Sequence, residues 1–368
     1  MKANIAVFAA SSANAPQSYY EAAYQSGKAF AQNNYTVFYG AGLGIMNSMA
    51  DGVIDNHGRI IGIIPECLYL HYPSAVEARL SVNNTQQQLI VTEDIERRKD
   101  LLIKDTDVVV ALPGGVGTFE ELYDACSRGK KVILLNHEGY YDDLLAQHSS
   151  FSFIEAKTAE EVIDHLDTLK HANWSSIDFT LSLDTVNVNA VKKVCEEIES
   201  NSSFLAVHDE SHSFISVMTQ EQYKQFNISQ NEQSRTEQLF LSATHLFIFE
   251  HDHPVTYAIL HKMLTYNQLG LHGKKDGKQI HKNIFLLTTE GSSFFEPTYR
   301  QLDRAIDAKL LTRDHILALK KVKLECNAIL QSIQKIHLEV AETSWWKKKN
   351  ENAATESNRI EAHSPTMP

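Results

Sequence analysis

The chain has 368 residues, 43% of them hydrophobic and 22% charged, an ordinary balance for a folded globular protein that excludes global disorder. Its formal net charge of −12 argues against an extended surface for polyanions but leaves room for a small anionic ligand in a local pocket. At about 100–200 residues per domain, the length implies roughly two domains.

From the N-terminus, Lys2 followed by Ile5-Ala-Val-Phe8 superficially imitates a secretory leader. The apolar stretch is too short and runs directly into serine-rich sequence, so residues 4–10 read as a buried first strand ending at Ser11-Ser12. Apolar spacing predicts a helix over 19–33 and a strand over 36–39. Gly40-Ala-Gly-Leu-Gly44 then opens a helix through Met46 and Val53, and 60–64 is a strand stopped by Pro65. Residues 97–104 are amphipathic, 108–112 form a continuous apolar strand, Pro113 to Thr118 opens another helix, and 132–135 is one more strand. Short apolar runs alternating with helices predict an α/β fold, a doubly wound parallel sheet of Rossmann-like type, whose ligands bind at the carboxyl ends of the strands. No apolar run approaches the roughly 20 residues needed to cross a bilayer, and the expected location is cytoplasmic. Cys67, Cys126, Cys195 and Cys326 lie far apart without a CxxC, which supports neither a disulfide framework nor a zinc ribbon.

A polar stretch around 171–183 reads as a linker to a second segment that echoes the first. Arg97, Leu101, 108–111 and Thr118 match Arg235, Leu239, 246–249 and Thr256 at a constant offset of 138, and 132–135 matches 284–287. Two readings follow: a second, diverged Rossmann-like half, or an unrelated α/β segment. From 312 to 340, Ile316, Leu319, Val322, Cys326, Ile329, Ile333, Ile336 and Val340 describe one helix with a single apolar stripe, packing on its own domain or pairing in a coiled coil. The run after Trp345-Trp346 is polar and expected to be disordered. The expected organisation is thus 1–175, 176–311, a C-terminal helix over 312–344 and a tail over 345–368.

The densest chemistry lies in Pro113-Gly-Gly-Val-Gly-Thr-Phe-Glu-Glu121, directly after an apolar strand. Glycines let the backbone approach a ligand, and the helix that follows aims unpaired N–H groups at an anion. Gly114, Gly115, Gly117 and Thr118 together make a phosphate cradle without a Walker lysine. Glu121, one turn on, suits a sugar hydroxyl, a water or a developing cation rather than the phosphate itself. Arg97 and Arg98 are equally basic, and only the helical face separates them. Ser11 and Ser12 either face the ligand or cap an ordinary turn. His251-Asp-His253 with His261 invites a metal reading, but the segment is a turn ending at Pro254, and no metal or other cofactor is expected.

The stretch from Pro113 to Glu121 resembles the P-G-G-x-G-T-x-x-E motif of the LOG family ("Lonely guy" cytokinin-activating phosphoribohydrolases). Arg98-Lys99 fits the family's Arg-Lys step, and Gly40-Ala-Gly-Leu-Gly-Ile-Met46 is similar to its G-G-G-x-G-I-M turn, with Ala41 at the middle glycine. The resemblance covers about residues 3–170. It implies hydrolysis of the N-glycosidic bond of a nucleoside 5′-monophosphate, AMP or a cytokinin-type nucleotide, with Arg98 and Glu121 catalytic. It places Gly114, Gly115, Gly117, Thr118, Lys99, Ser11, Ser12, Gly42, Gly44, Met46 and Asn47 around the substrate, the role of Asn47 being open. A decarboxylase reading finds no lysine context for pyridoxal phosphate.

Under the offset, His251-Asp-His253 replaces Pro113-Gly-Gly115, and Ile259 replaces Glu121, so the second half has lost the site. Family members are usually homodimers packed near the active site, which implies a homodimer or a covalent pseudo-dimer. The expected partner is a small-molecule nucleoside monophosphate, with no nucleic acid polymer and no membrane. The rival reading is a non-catalytic nucleotide- or pterin-cofactor carrier on the same fold; retention of both Arg98 and Glu121 favours the enzyme. A third is a C-terminal half that binds a partner protein under regulation by the N-terminal half.

Overall fold

The computed structural model describes residues 3–71, 73–148, 151, 153–169, 195–196, 204–208, 214–219, 223–224, 235–272, 274–275 and 278–323. The linker around 171–183 and the tail over 345–368 lie outside these residues.

The first unit is a sheet of seven strands: β1 (Asn4–Phe8), β2 (Thr36–Tyr39), β3 (Arg59–Pro65), β4 (Gln87–Thr92), β5 (Val108–Ala111), β6 (Lys131–Leu135) and β7 (Phe153–Ala156). Their order is β4-β3-β2-β1-β5-β6-β7, every neighbouring pair parallel. The order reverses between β1 and β5, where Ile5 pairs Val108 and Phe8 pairs Ala111, so the carboxyl ends of these two strands border the crevice of a doubly wound sheet. From Ile5 and from Val108 onward both strands are apolar and buried, because helices cover both faces.

The helices of this unit are α1 (Gln17–Gln32), α2 (Ile45–Asp55), α3 (Glu66–Tyr69), α4 (Pro73–Glu77), α5 (Ile95–Lys104), α6 (Val116–Ser127), α7 (Asp142–Gln147) and α8 (Ala159–Leu169). Asp94 caps α5, its carboxylate accepting from the Arg97 amide at 2.7 Å. Glycines set the close pairing of α1 with α2, since a Cβ at Gly27 or Gly52 would strike the other helix's backbone.

The C-terminal part forms a second sheet from β8 (Phe204–His208), β9 (Phe214–Thr219), β10 (His245–Phe249), β11 (Asn283–Thr288) and β12 (Leu319–Lys323), in the order β12-β11-β10-β9-β8. β10, β11 and β12 run parallel, whereas β9 and β8 join antiparallel, so the sheet is mixed. Its helices are α9 (Arg235–Ser242), α10 (Pro254–Leu269) and α11 (Glu296–Asp307). Residues of β10 and β11 alternate between its faces: Leu246, Ile248, Ile284 and Leu286 join the main core, and Phe247, Phe249, Phe285 and Leu287 a smaller one.

One apolar core runs through both units, because α6 and α10 pack on each other. Both helices are buried on most sides, and the charged groups they carry inward are paired, as Glu121 is with Arg98 and Glu120 with Lys99. They run antiparallel: Phe119 meets the ring of His261, while Tyr123 stacks on Tyr257 and on His261. Asp143 on α7 adds ion pairs to Arg300 and Arg304 on α11, both at 2.7 Å.

The helix expected to begin at 312 is corrected over its first part. Arg313–Ile316 is a short 3-10 turn and β12 follows, while residues from 324 onward lie outside the described set. Leu319 and Val322 are three apart, which imitates a helix. The open edge of β11 instead offers a row of backbone groups, and 319–323 satisfies them by parallel pairing from Ile284↔Leu319 to Thr288↔Lys323.

Candidate functional site

The crevice at the sheet reversal becomes a cavity because three loops are tied together there. The Ala10 amide donates to the Pro113 carbonyl at 3.2 Å, the Met46 amide to the Ala10 carbonyl at 3.2 Å, and the Leu112 amide to the Phe8 carbonyl at 2.9 Å. Gly44 caps α2 at φ 65°, where a Cβ would strike the backbone of Ser11 and Ser12. Ala41, at the family's middle glycine, also lies in the left-handed region, at φ 50°.

Gly115 is the N-cap of α6, so the amides that open this helix are free of intrahelical partners and border the cavity. Gly114 packs its backbone against the Thr118 side chain, where a Cβ would not fit. A Cβ on Gly117, by contrast, would meet nothing, since this position faces open space. Two tyrosines brace the cradle: Tyr141 Oη donates to the Leu112 carbonyl at 2.6 Å, and Tyr140 Oη to the Gly114 carbonyl.

Arg98 reaches the cavity from α5, and Arg97 is exposed, so the helical face separates the two neighbours. Arg98 Nη2 lies 3.0 Å from Glu121 Oε1, with side-chain exposures of only 13% and 10%. Its Nε donates to the Ile63 carbonyl at 3.2 Å, which leaves the guanidinium little freedom. Gly40 makes room for it, because a Cβ there would overlap the guanidinium. Burial raises the pKa of Glu121; the positive charges of Arg98 and Lys99 oppose that, and Glu120 adds to it.

Of the residues singled out from sequence, Ser11, Gly42, Met46, Arg98, Gly115, Gly117, Thr118 and Glu121 line this one cavity. The others sit around it. Gly114 and Gly44 shape its backbone. Ser12 Oγ donates to the Lys309 carbonyl at 2.7 Å. Asn47 is half-buried in the first turn of α2. Lys99 is buried away from the cavity, its ammonium 2.7 Å from Glu120 and 2.6 Å from Glu96. Glu96 also pairs with Lys262 on α10 at 3.1 Å.

The C-terminal unit supplies residues that no sequence signal marked. Thr265, Gln268 and Leu269 at the end of α10, and Leu310 after α11, line the same cavity. The Leu310 carbonyl lies so near Gly115 that an added Cβ would approach it to 3.0 Å. Gly40 was legible within the Gly40–Gly44 turn; the α10 residues were not, since their place depends on how two helices pack. His251 stacks on His253, ring centroids 5.6 Å apart, and the other polar contacts of this segment diverge. Asp252 pairs with His148 at 3.1 Å, His253 Nδ1 accepts from the Val255 amide at 3.2 Å, and His261 Nδ1 bonds the Tyr257 carbonyl at 2.8 Å. Among the described residues no group of three or more such side chains is placed to hold a metal, and no helix is long and apolar enough to cross a membrane.

Residues 2–164 match the SLOG cluster4 family. The cytokinin riboside 5′-monophosphate phosphoribohydrolase LOG1 of Arabidopsis thaliana is 35% identical over 164 residues, 43% of this chain and 70% of that protein. The chain belongs to the LOG family. LOG3 of the same plant is 33% identical over 78% of its length, and the probable LOGL6 of Oryza sativa subsp. japonica 33% identical over 61% of its length. The similarity to LOG1 covers under half of this chain, and the cradle and the Arg98–Glu121 pair belong to the LOG unit. Among solved structures, the molybdenum cofactor binding protein of Rippkaea orientalis superposes with a TM-score of 0.38 at 25% identity, covering 46% of this chain and 98% of that one.

Proposed function

We propose that this protein hydrolyses the N-glycosidic bond of a nucleoside 5′-monophosphate, AMP or a cytokinin-type nucleotide, to the free base and ribose 5-phosphate. The observation that carries this reading is the buried Arg98–Glu121 ion pair, held one helical turn beyond the glycine turn that lines the same cavity. Phosphate binds the free amides of Gly115, Gly117 and Thr118 at the positive end of α6. The ribose then lies beside Glu121. As the C–N bond breaks, the electron pair leaves with the base and positive charge develops on the ribose, which the carboxylate stabilises in a site of low polarity. Water adds hydroxide to the anomeric carbon and its proton balances the departing base. Arg98 holds the carboxylate in place and opposes its protonation.

The second unit acts as an intramolecular partner of the LOG unit, a covalent pseudo-dimer with one working site. Mutual contacts support this. Phe119 and Tyr257 are 138 residues apart, as are Tyr123 and His261; the contact of Phe119 with His261 is answered by that of Tyr123 with Tyr257. Such reciprocity is what a two-fold axis between equivalent helices produces. Ile259, the uncharged residue at the offset position of Glu121, lines a second cavity on the same helix pair, whose carboxylates, Glu96, Glu120 and Asp124, all come from the LOG unit.

The test is incubation of the purified chain with AMP and related monophosphates, with base release followed by chromatography. Release by the wild type and its loss in Glu121→Gln are expected. Nucleotide binding without release by any substrate would turn the reading toward a carrier.

A further inference from the structure

Resting on the hydrolase reading, we infer that Gln268, from the C-terminal unit, is the specificity-determining residue of the site, hydrogen-bonding the edge of the base. Gln268 lies in the last turn of α10, half-buried, and lines the cavity that holds Glu121. The other polar groups there are already committed or belong to the phosphate end. Arg98 and Glu121 bind each other, and the Thr265 hydroxyl donates to the His261 carbonyl at 2.9 Å. Thr118 sits on the cradle, and Ser11 follows the end of β1, tied to the cradle through Ala10 and Pro113. Among the described residues the Gln268 amide takes no hydrogen bond, so its donor and its acceptor both remain for a ligand.

An amide that offers N–H and C=O side by side pairs with a base edge that presents an adjacent acceptor and donor. The N7 and N6–H of a 6-aminopurine form such an edge; a 6-oxopurine has two acceptors there and would leave the amide oxygen unpaired. Leu68 from α3 and Leu269 beside Gln268 line the same cavity and provide apolar surface for the faces of a flat ring. The antiparallel packing of α10 on α6 is what carries the last turn of α10, and this amide with it, to the cavity at the N-terminal end of α6. The LOG unit therefore supplies phosphate binding and the carboxylate, and the second unit supplies the reader of the base.

Binding of AMP and IMP to the full chain is measured by calorimetry in a Glu121→Gln background, which blocks turnover; base release is measured with Glu121 intact. The expected result is a preference for AMP over IMP of about tenfold or more, abolished by Gln268→Leu chiefly through weaker AMP binding. Gln268→Met, with melting temperature as the folding control, repeats the readout should the leucine variant be unstable. A merely structural role would lower both affinities together and leave their ratio unchanged, and that result would overturn the inference. So would binding of neither nucleotide, or no preference in the parent. A preference lost in Gln268→Leu without base release from the intact protein would sustain Gln268 and sink the hydrolase reading.

Discussion

Tyr123 on α6 and His261 on α10 stack across the seam between the two units, ring centroids 5.4 Å apart and planes inclined by 27°. Burial pushes the His261 pKa down to about 4, with the Tyr257 carbonyl opposing this and His148 adding to it. His148 is also lowered by burial, with Asp252 opposing. Both rings are neutral in the folded state near neutral pH. Below about 6.5 the unfolded chain takes up protons that the folded chain refuses, so stability falls as pH drops from there towards 4. Replacing His261 with Phe keeps an aromatic ring on Tyr123 and removes one of the two titrations. Urea unfolding at pH 7 and pH 5 should show a smaller acid-side loss in His261→Phe than in the wild type. An identical loss would assign the effect elsewhere.

Lys99 supports the site from behind. Burial alone would lower its pKa, but Glu120 and Glu96 outweigh that and hold it above the ordinary lysine value. For Glu96, burial is likewise outweighed, by Lys99 and Lys262, and its pKa falls to about 2. Lys99→Met leaves Glu120 buried without its cation and should destabilise the protein by roughly 3–5 kcal/mol. The same change removes a charge that opposes protonation of Glu121. The acid limb of kcat/KM for base release should therefore move to higher pH in Lys99→Met, and stay in place in Lys99→Arg.

Gly117 separates binding from folding. A Cβ there meets no atom, and the position lies in the first turn of α6, so Gly117→Ala should melt no lower than the wild type. The methyl group occupies the space left for the ligand. KM for the nucleotide should rise by about tenfold or more, a loss of roughly 1.4 kcal/mol in binding. A melting temperature that falls with activity would mean that the glycine serves the fold instead.

Arg98 makes two directed contacts, from Nε to the Ile63 carbonyl and from Nη2 to Glu121. A lysine carries the charge but cannot make both at once. Arg98→Lys should lower kcat for base release by about tenfold or more, and Arg98→Ala by about 10²–10³. Equal activity in Arg98→Lys and the wild type would show that charge alone suffices.

Much of the LOG unit was legible in the residues themselves. Continuous apolar runs at β1, β5 and β6 declare strands buried on both faces, and a glycine-rich turn before a helix declares an anion cradle. Local chemistry determines these features, because backbone freedom and helix polarity act within a few residues. The resemblance to the family singled out Arg98 and Glu121 together, whereas the residues alone left Arg97 and Arg98 equivalent; the fold exposes Arg97, turns Arg98 to Glu121 and sends Lys99 to Glu120. The edge strand at 319–323 reads as helix from sequence because its backbone partner, β11, is remote in sequence and its apolar spacing of three matches a helix, whereas in the strand Leu319 and Val322 face the two cores on opposite sides of the sheet. The contributions of Gln268, Leu310 and Lys309 were decided by tertiary structure alone. The position of Gln268 depends on the packing of α10 on α6, and those of Lys309 and Leu310 on the packing of α11 on α7; neither carries a local signature of which residue will face the cavity.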